Sequence, residues 1–200
     1  MNGAIILAGG QGSRFKKKKQ FELLYDKEMW KYVYEKALNV VERKNIVVVG
    51  VDIAGGDTRS KSVYNGLMAM PETCDRVIIL EAARPLVTEN QIKKLLSDKN
   101  KSTTFALPLV NTVIGRDGSY YDRNDFYDLL TPQAFDFKLL KEAYKTGKYE
   151  DTTDETIIMS QEYGIKPAFI LEGENLLKVT YERDMEIVSN LLKQQEGAGQ

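Results

Sequence analysis

Glycines and basic side chains lie together near the start of the sequence. Positions 8–20 read AGGQGSRFKKKKQ and directly follow an apolar run. Glycines after a strand let the backbone approach a ligand closely, and their amides can hold phosphate oxygens. Arg14 stands where the dinucleotide fingerprint needs a third glycine, and a Walker A loop would end in Gly-Lys-Ser or Gly-Lys-Thr. The segment therefore predicts phosphate binding by a loop of neither type.

Five more polar clusters follow apolar runs or lead into helical patterns. They lie at positions 55–63 (GGDTRSKSV), 81–85 (EAARP), 130–135 (LTPQAF), 152–155 (TTDE) and 177–180 (LKVT). The first of these places hydroxyls and amides at the positively polarised start of a helix, and the second places a carboxylate and an arginine after a buried strand. Taken singly, each cluster is equally compatible with a helix cap, a turn, a local ion pair or a snorkelling lysine.

The elements that would position these clusters alternate between strands and helices. Short β-branched runs predict strands at 4–8, 45–51, 76–80, 104–110 and 167–171, and periodic segments predict helices at 27–41, 58–70, 88–96, 137–145, 153–163 and 182–193. Thr88 with Gln91 predicts a capping box, and Gly147 predicts a helix end. The alternation predicts an α/β fold with a doubly wound, mostly parallel sheet. Ligands bind to such sheets beyond the carboxyl ends of the strands.

Residues 111–130 interrupt this alternation with a polar and aromatic segment. Asp117-Gly118 in its middle is a hairpin turn signal between the short runs 112–114 and 120–121. A hairpin extruded from an α/β core has exposed strand edges, which a partner can cover. We therefore expect one domain over residues 1–200 with a protruding β-arm at about 111–130.

The composition excludes several kinds of chemistry. The 200 residues include 28 Lys and Arg, 29 Asp and Glu, and no histidine, for a net charge of −1. Without histidine there is no Ser-His-Asp triad, Cys-His pair or His-ligated zinc, and the charge balance argues against a nucleic-acid partner. Cys74 is the only cysteine, so no intrachain disulfide can form and a cytoplasmic location is expected. No segment has the pattern of a signal peptide or a transmembrane helix, so no membrane partner is expected.

Together and in this order, the six clusters resemble the bacterial 2-C-methyl-D-erythritol 4-phosphate cytidylyltransferase family. The resemblance extends from Gly9 to about Asp184. The ribitol-5-phosphate cytidylyltransferase family has similar motifs, but Ala-Ala-Arg-Pro and Thr-Pro-Gln-Ala-Phe favour the methylerythritol branch. The resemblance implies a Rossmann-like nucleotidyltransferase of the non-mevalonate route to isoprenoid precursors. In that family the acceptor's phosphate oxygen attacks the α-phosphorus of CTP in line, which requires positioning and charge neutralisation.

The resemblance also implies roles for individual residues. Three match catalytic residues that hold the triphosphate and stabilise the transition state: Arg14, Lys19 and Lys178. Ten match positions around the cytidine and its phosphates: Ala8, Gly9, Gly10, Gly12, Gly56, Asp57, Arg59, Ser62, Ala82 and Ala83. Six match the acceptor pocket: Glu81, Arg84, Thr112, Arg123, Thr131 and Thr153. Mg²⁺ is expected to bridge phosphate oxygens rather than occupy a protein cage, and a homodimer is expected in which the arm carries Thr112 and Arg123 to the neighbouring active site.

Two departures from the family pattern lie near the expected acceptor site, where Glu81 and Asn111 each replace an aspartate. The shorter first loop also leaves open which of the lysines 16–19 enters the site. Two alternative functions therefore stand beside the first. One is transfer to ribitol 5-phosphate or another polyol phosphate, and the other is CTP binding without turnover. The second alternative is disfavoured because binding alone does not need the positive charge of Arg14, Lys19 and Lys178 from three sides.

Overall fold

Strands and helices alternate along the chain, of which the computed structural model describes residues 1–10 and 18–197. The strands are β1 (Asn2–Leu7), β2 (Leu23–Leu24), β3 (Lys27–Glu28), β4 (Ile46–Val49), β5 (Arg76–Glu81), β6 (Ser102–Pro108), β7 (Val113–Ile114), β8 (Tyr120–Tyr121), β9 (Tyr127–Asp136) and β10 (Ala168–Ile170). The helices are α1 (Met29–Leu38), α2 (Arg59–Ala69), α3 (Glu89–Ser97), α4 (Phe137–Lys145), α5 (Glu155–Tyr163) and α6 (Glu182–Gly197).

Within the described residues, six strands form the central sheet in the order β10-β6-β9-β5-β1-β4. β1 is parallel to β4 and β5, and β10 is parallel to β6, while β9 runs antiparallel to its neighbours β5 and β6. After β1 the chain forms β4, which pairs with one edge of β1, and then crosses over to form β5, which pairs with the other edge. The predicted fold class is therefore confirmed, and the strand order reverses beside β1, where doubly wound sheets bind ligands.

Helices cover both faces of the central sheet. α1 and α3 pack on one face, against Ile6 of β1 and Leu80 of β5. α2, α4 and α5 pack on the other face, against Ile5 and Ile79 of the same two strands. Because β1 and β5 are buried on both faces, their sequences are continuous apolar runs rather than alternating ones. α6 packs in a third cluster with the start of α1.

β9 is a central strand that contains positions 131–135, for which a turn was one alternative interpretation of the sequence because a proline lies between polar residues. The structure excludes that alternative. Along β6 the pairing register shifts between Thr104 and Phe105, which leaves Thr131 and Pro132 of β9 in a bulge. A bulge accommodates a proline inside a sheet, since proline has no N–H to give to the ladder.

Helix boundaries follow the predicted signals closely. The capping box of Thr88 and Gln91 at the start of α3 is confirmed. α4 covers the predicted range, and Gly147 follows it with a φ of +73°. α1 begins at Met29, two residues later than predicted, because Lys27–Glu28 pairs with Leu23–Leu24 as a small hairpin.

β7 and β8 form a short antiparallel hairpin, whose turn contains Gly118 with a φ of +88°. Ile114 and Tyr120 on this hairpin are exposed. The segment outside the central sheet ends at Phe126, because residues 127–130, predicted to belong to the arm, are part of β9. A role for the hairpin in dimerisation stays a prediction. None of the described helices combines the length and hydrophobicity that a bilayer span requires.

Candidate active site

A cleft of about 410 Å³ opens at the carboxyl ends of β1 and β5, beside the N-terminus of α2. It lies at the switch point of the sheet, where a ligand site is expected. Twelve of the predicted site residues line it: Ala8, Gly9, Gly10, Lys19, Gly56, Asp57, Arg59, Ser62, Glu81, Ala82, Ala83 and Lys178. The fold therefore brings together four of the six sequence clusters, the first, second, third and sixth.

The loop after β1 packs directly against the loop after β4. A Cβ on Gly9 would lie 3.0 Å from the Cα of Gly55, which is tighter than ordinary side-chain contacts. A Cβ on Gly10 would meet nothing within 4 Å. Backbone packing therefore disfavours a side chain at position 9, whereas position 10 leaves open space through which a ligand can approach the main chain.

Lys19 reaches the cleft from the end of the first loop. Its ammonium donates a hydrogen bond to the main-chain carbonyl of Val179, next to Lys178. Gln20, which is buried, donates from Nε2 to the carbonyl of Gly10 at 3.0 Å and so ties the end of the loop to its start. The two lysines thus lie at the same part of the cleft, and Gln20 is a supporting residue that the sequence analysis missed.

The segment that carries Lys178 is held by main-chain hydrogen bonds. The amide of Val179 donates to the carbonyl of Ala83 at 2.8 Å. The amides of Thr180 and Tyr181 both donate to the Asp184 carboxylate, each at 2.8 Å. Burial would raise the pKa of Asp184, but these two amides outweigh it, and the pKa is lowered. Asp184 therefore stays ionised and fixes the turn that presents Lys178.

Glu81 lies between two cations at the end of β5. Its carboxylate forms an ion pair with Lys178 and accepts from Nε of Arg59 at 3.4 Å. The Glu81 side chain is only 10% exposed. Burial alone would raise the pKa of Glu81, but Lys178 and Arg59 outweigh it and lower the pKa to about 2. The carboxylate is therefore ionised throughout the neutral pH range, and it holds Lys178 at the cleft.

Arg59 is paired on its other side with Glu155, which belongs to the cluster at 152–155 but was not predicted as a site residue. Nη1 and Nη2 of Arg59 donate to the two Glu155 oxygens at 2.8 and 2.9 Å, and the Tyr144 hydroxyl donates to the same carboxylate at 3.0 Å. Burial would lower the pKa of Arg59, but Glu155 outweighs it and the pKa is raised. Direct contact between Arg59 and a phosphate stays a prediction.

Arg84 and Thr131 form a second polar pair, one residue beyond Ala83 of the cleft lining. Nε of Arg84 donates to the Thr131 hydroxyl at 2.9 Å, and its Nη1 donates to the carbonyl of Leu176. Thr131 is buried in the β9 bulge. Both residues were predicted for the acceptor pocket, and the fold places them in contact although they lie 47 positions apart in the sequence.

Comparison with known proteins identifies the family. A sequence model described as 2-C-methyl-D-erythritol 4-phosphate cytidylyltransferase matches residues 34–194. The chain belongs to this family. The protein of that name from Lachnoclostridium phytofermentans is 30% identical over 96% of this chain and 97% of its own length, and the one from Thermotoga neapolitana is 31% identical over 98% and 99%. The solved 4-diphosphocytidyl-2C-methyl-D-erythritol synthase from Anaerococcus prevotii, at 22% identity, covers 96% of both chains with a TM-score of 0.80, which supports the fold.

The cytidylyltransferase family and enzyme class predicted from the ordered motifs are thus confirmed. Five predicted site residues of this cytidylyltransferase lie away from the cleft or outside the described residues. Gly12 and Arg14 belong to the part of the chain that the structure does not describe. Thr112 and Arg123 are exposed on the hairpin segment, and Thr153 is exposed just before α5. Their roles in binding the acceptor stay predictions.

Proposed function

We propose that this chain transfers CMP from CTP to the phosphate of 2-C-methyl-D-erythritol 4-phosphate and releases pyrophosphate. The observation that carries the proposal is the meeting of Lys19 and Lys178 in one cleft, beside the glycine loop and the start of α2. A cleft of about 410 Å³ has the size of a small-molecule site. Positive charge, open backbone and a helix N-terminus are the features that bind a nucleotide triphosphate.

The proposed reaction requires no proton transfer by a side chain. An oxygen of the acceptor phosphate forms a bond to the α-phosphorus, and the bond from that phosphorus to the oxygen bridging to the β-phosphate breaks. The electron pair of the broken bond leaves with pyrophosphate. Lys19 and Lys178 neutralise charge that develops on the phosphate oxygens, which lowers the barrier because the donors are already in place. This chemistry suits a chain without histidine.

The acceptor pocket of the proposal lies at the carboxyl end of β5, beside the bulge of β9. Arg84, fixed by Thr131, supplies a cation and Glu81 supplies a carboxylate. A sugar-alcohol phosphate carries an anionic group and several hydroxyls, so a cation and a hydrogen-bond acceptor match its two kinds of group. Glu81 in place of the family's aspartate lengthens this side chain by one methylene.

Mg²⁺ is part of the proposed reaction as a partner of the triphosphate. Within the described residues, no three Asp, Glu or Cys side chains come together as a ready metal cage. Asp57, exposed on the cleft lining, is the carboxylate that can reach a metal held mainly by phosphate oxygens. The ion would neutralise phosphate charge when bound.

The proposal also includes a homodimer formed through the hairpin segment. Val110, Ile114 and Tyr120 on and beside the hairpin are 76%, 55% and 76% exposed, and a partner chain would cover them. In such a dimer Thr112 and Arg123 would bind the acceptor phosphate of the neighbouring site. A cytoplasmic location is likewise proposed, on the basis of the single cysteine.

Pyrophosphate release tests the proposed function directly. The purified chain is incubated with CTP and Mg²⁺, with either 2-C-methyl-D-erythritol 4-phosphate or ribitol 5-phosphate, and the nucleotide product is identified by mass spectrometry. Product with the first acceptor alone is the expected result. Product with ribitol 5-phosphate alone would show that the acceptor is a different polyol phosphate. Tight CTP binding without pyrophosphate release from either acceptor would contradict the proposed transfer.

A further inference from the structure

A chain of ion pairs runs from the cleft into the protein interior. Lys178 pairs with Glu81, Glu81 with Arg59, and Arg59 with Glu155, whose carboxylate also accepts from the Tyr144 hydroxyl. We call Lys178, Glu81, Arg59 and Glu155 the ionic chain. Its cleft end is a lysine that is 36% exposed, and its inner end is a carboxylate with no exposed side-chain surface.

Stability alone does not account for the inner end of the ionic chain. Glu155 is fully buried while its partner Arg59 is 26% exposed, and well-packed apolar residues often replace buried ion pairs without loss of stability. Capping α5 does not require Glu155 either, because Asp154 is the N-cap and its side chain accepts from the amide of Thr156. Neither folding stability nor the capping of α5 therefore explains a buried carboxylate at position 155.

The helix that Arg59 begins does not explain why a cation stands at this position either. It begins α2, where the helix dipole favours anions and disfavours cations. Two of its nitrogens are held by Glu155 in a bidentate pair, at 2.8 and 2.9 Å, and this fork geometry fixes the plane of the guanidinium. With that plane fixed, Nε lies 3.4 Å from Glu81 rather than closer. Arg59 thus contacts only Oε1 of Glu81, and Oε2 is left to pair with Lys178.

We propose that Glu155 is a positioning residue for Lys178, because it holds Arg59 in a bidentate pair and thereby leaves Glu81 to fix the Lys178 ammonium at the cleft. Without the Glu155 charge, Arg59 turns its fork towards Glu81 and competes with Lys178 for that carboxylate. The inference rests on the proposed function only for the task of Lys178, which is to neutralise phosphate charge.

Amine labelling tests the first step of the inference without any turnover. Glu155→Gln keeps the shape of the side chain and removes its charge. We expect acetylation of Lys178, measured by peptide mass spectrometry relative to the exposed Lys99, to rise about three-fold or more as its ion pair is lost. The control Glu162→Gln breaks an ion pair with Lys148 at the other end of α5 and leaves the ratio unchanged. An unchanged ratio in Glu155→Gln overturns the inference.

A double-mutant cycle tests the second step. In the natural background, Glu155→Gln is expected to lower kcat about 10-fold with little change in KM for CTP. In a Lys178→Gln background, the same change is expected to lower kcat less than about two-fold, since the residue that it positions is already gone. Penalties that simply multiply would show that Glu155 acts independently of Lys178 and would overturn the inference. A wild-type chain without turnover contradicts the proposed function, whereas the labelling experiment still decides the inference.

A second variant covers the case in which Glu155→Gln does not fold. Arg59→Lys keeps the charge of the ionic chain but loses the bidentate pair with Glu155, so its ammonium is no longer held away from Glu81 and competes with Lys178 for that carboxylate. We expect the Lys178 to Lys99 labelling ratio to rise in this variant too, by about two-fold or more. If the ratio stays at the wild-type value in folded Arg59→Lys, fixation of Lys178 does not pass through the guanidinium.

Discussion

Replacement of the Glu81 carboxylate by an amide isolates the charge at the centre of the cleft. In Glu81→Gln the side chain keeps its size, but Lys178 and Arg59 lose the anion that lies between them. Lys178 and Arg59 lower the pKa of Glu81 from its ordinary 4.5 to about 2 despite burial. Since one pH unit of pKa difference corresponds to about 1.4 kcal/mol, the ionised carboxylate stabilises the folded chain by roughly 3 kcal/mol at neutral pH.

The pH dependence of this contribution has a definite sign. A pKa that is lower in the folded chain than in the unfolded chain adds stability above the unfolded value of 4.5, and that stability is lost as the pH falls towards about 2. The free energy of unfolding of the wild type should therefore exceed that of Glu81→Gln by roughly 3 kcal/mol at pH 7 and by about half as much at pH 3. Taking the difference between the two proteins removes the titration of all other carboxylates.

Urea unfolding followed by circular dichroism at pH 7, 5, 4 and 3 measures this difference. Glu35→Gln is a suitable control because it breaks an exposed ion pair, 2.8 Å from Lys27, which contributes at most about 1 kcal/mol. A wild-type minus Glu81→Gln difference that stays constant from pH 7 to pH 3 would refute the reasoning. So would a difference at pH 7 no larger than that of Glu35→Gln, since the cations would then not hold the carboxylate.

Three further predictions concern the cleft and the polar pair of Arg84 and Thr131 beside it. In Gly9→Ala the new Cβ would lie 3.0 Å from the Gly55 backbone, so CTP affinity measured by calorimetry should fall about 10-fold, with Gly10→Ala as a control that keeps near-normal affinity. Lys178→Ala should lower kcat about 100- to 1000-fold while the Kd for CTP changes only a few-fold, because charge develops in the transition state; equal losses in both would contradict this role. Thr131→Val removes the hydroxyl 2.9 Å from Arg84 and should raise the acceptor KM about 5-fold, whereas Thr131→Ser should not; an unchanged acceptor KM in Thr131→Val would place this pair outside the acceptor pocket.

Strands buried on both faces and helices with clear caps were predictable from the sequence. The apolar runs of β1, β4 and β5 are typical of strands that are buried on both faces of a sheet. A complete capping box marks the start of α3. β9 was not predictable in the same way, because its pattern has a proline and a buried glutamine at positions where a turn is equally plausible. Its strand character comes from pairing on both sides with β5 and β6, which no local pattern encodes.

The glycine loops and lysines of the site were also predictable, but the residues that support them were not. Glu155 lies in the first turn of α5, where an acidic residue is the ordinary choice for the helix dipole. Nothing local distinguishes a solvated glutamate at that position from one with no exposed surface. The distinction arises only because the start of α5 meets the start of α2, which pairs residues 96 positions apart.

A carboxylate at the centre of an anion-binding cleft requires an explanation, because it repels the triphosphate that the cleft is proposed to bind. Glu81 is that carboxylate, and its neighbours Lys178 and Arg59 are both long, flexible cations. Arg59 is already held by Glu155, but without Glu81 the side-chain entropy of Lys178 would have to be lost when substrate binds. With Glu81 that ordering is complete in the folded chain, and the incoming phosphate exchanges one anionic partner of Lys178 for another. The repulsion is thus the cost of having the cation in position before CTP arrives, which is the condition under which electrostatic stabilisation lowers a barrier.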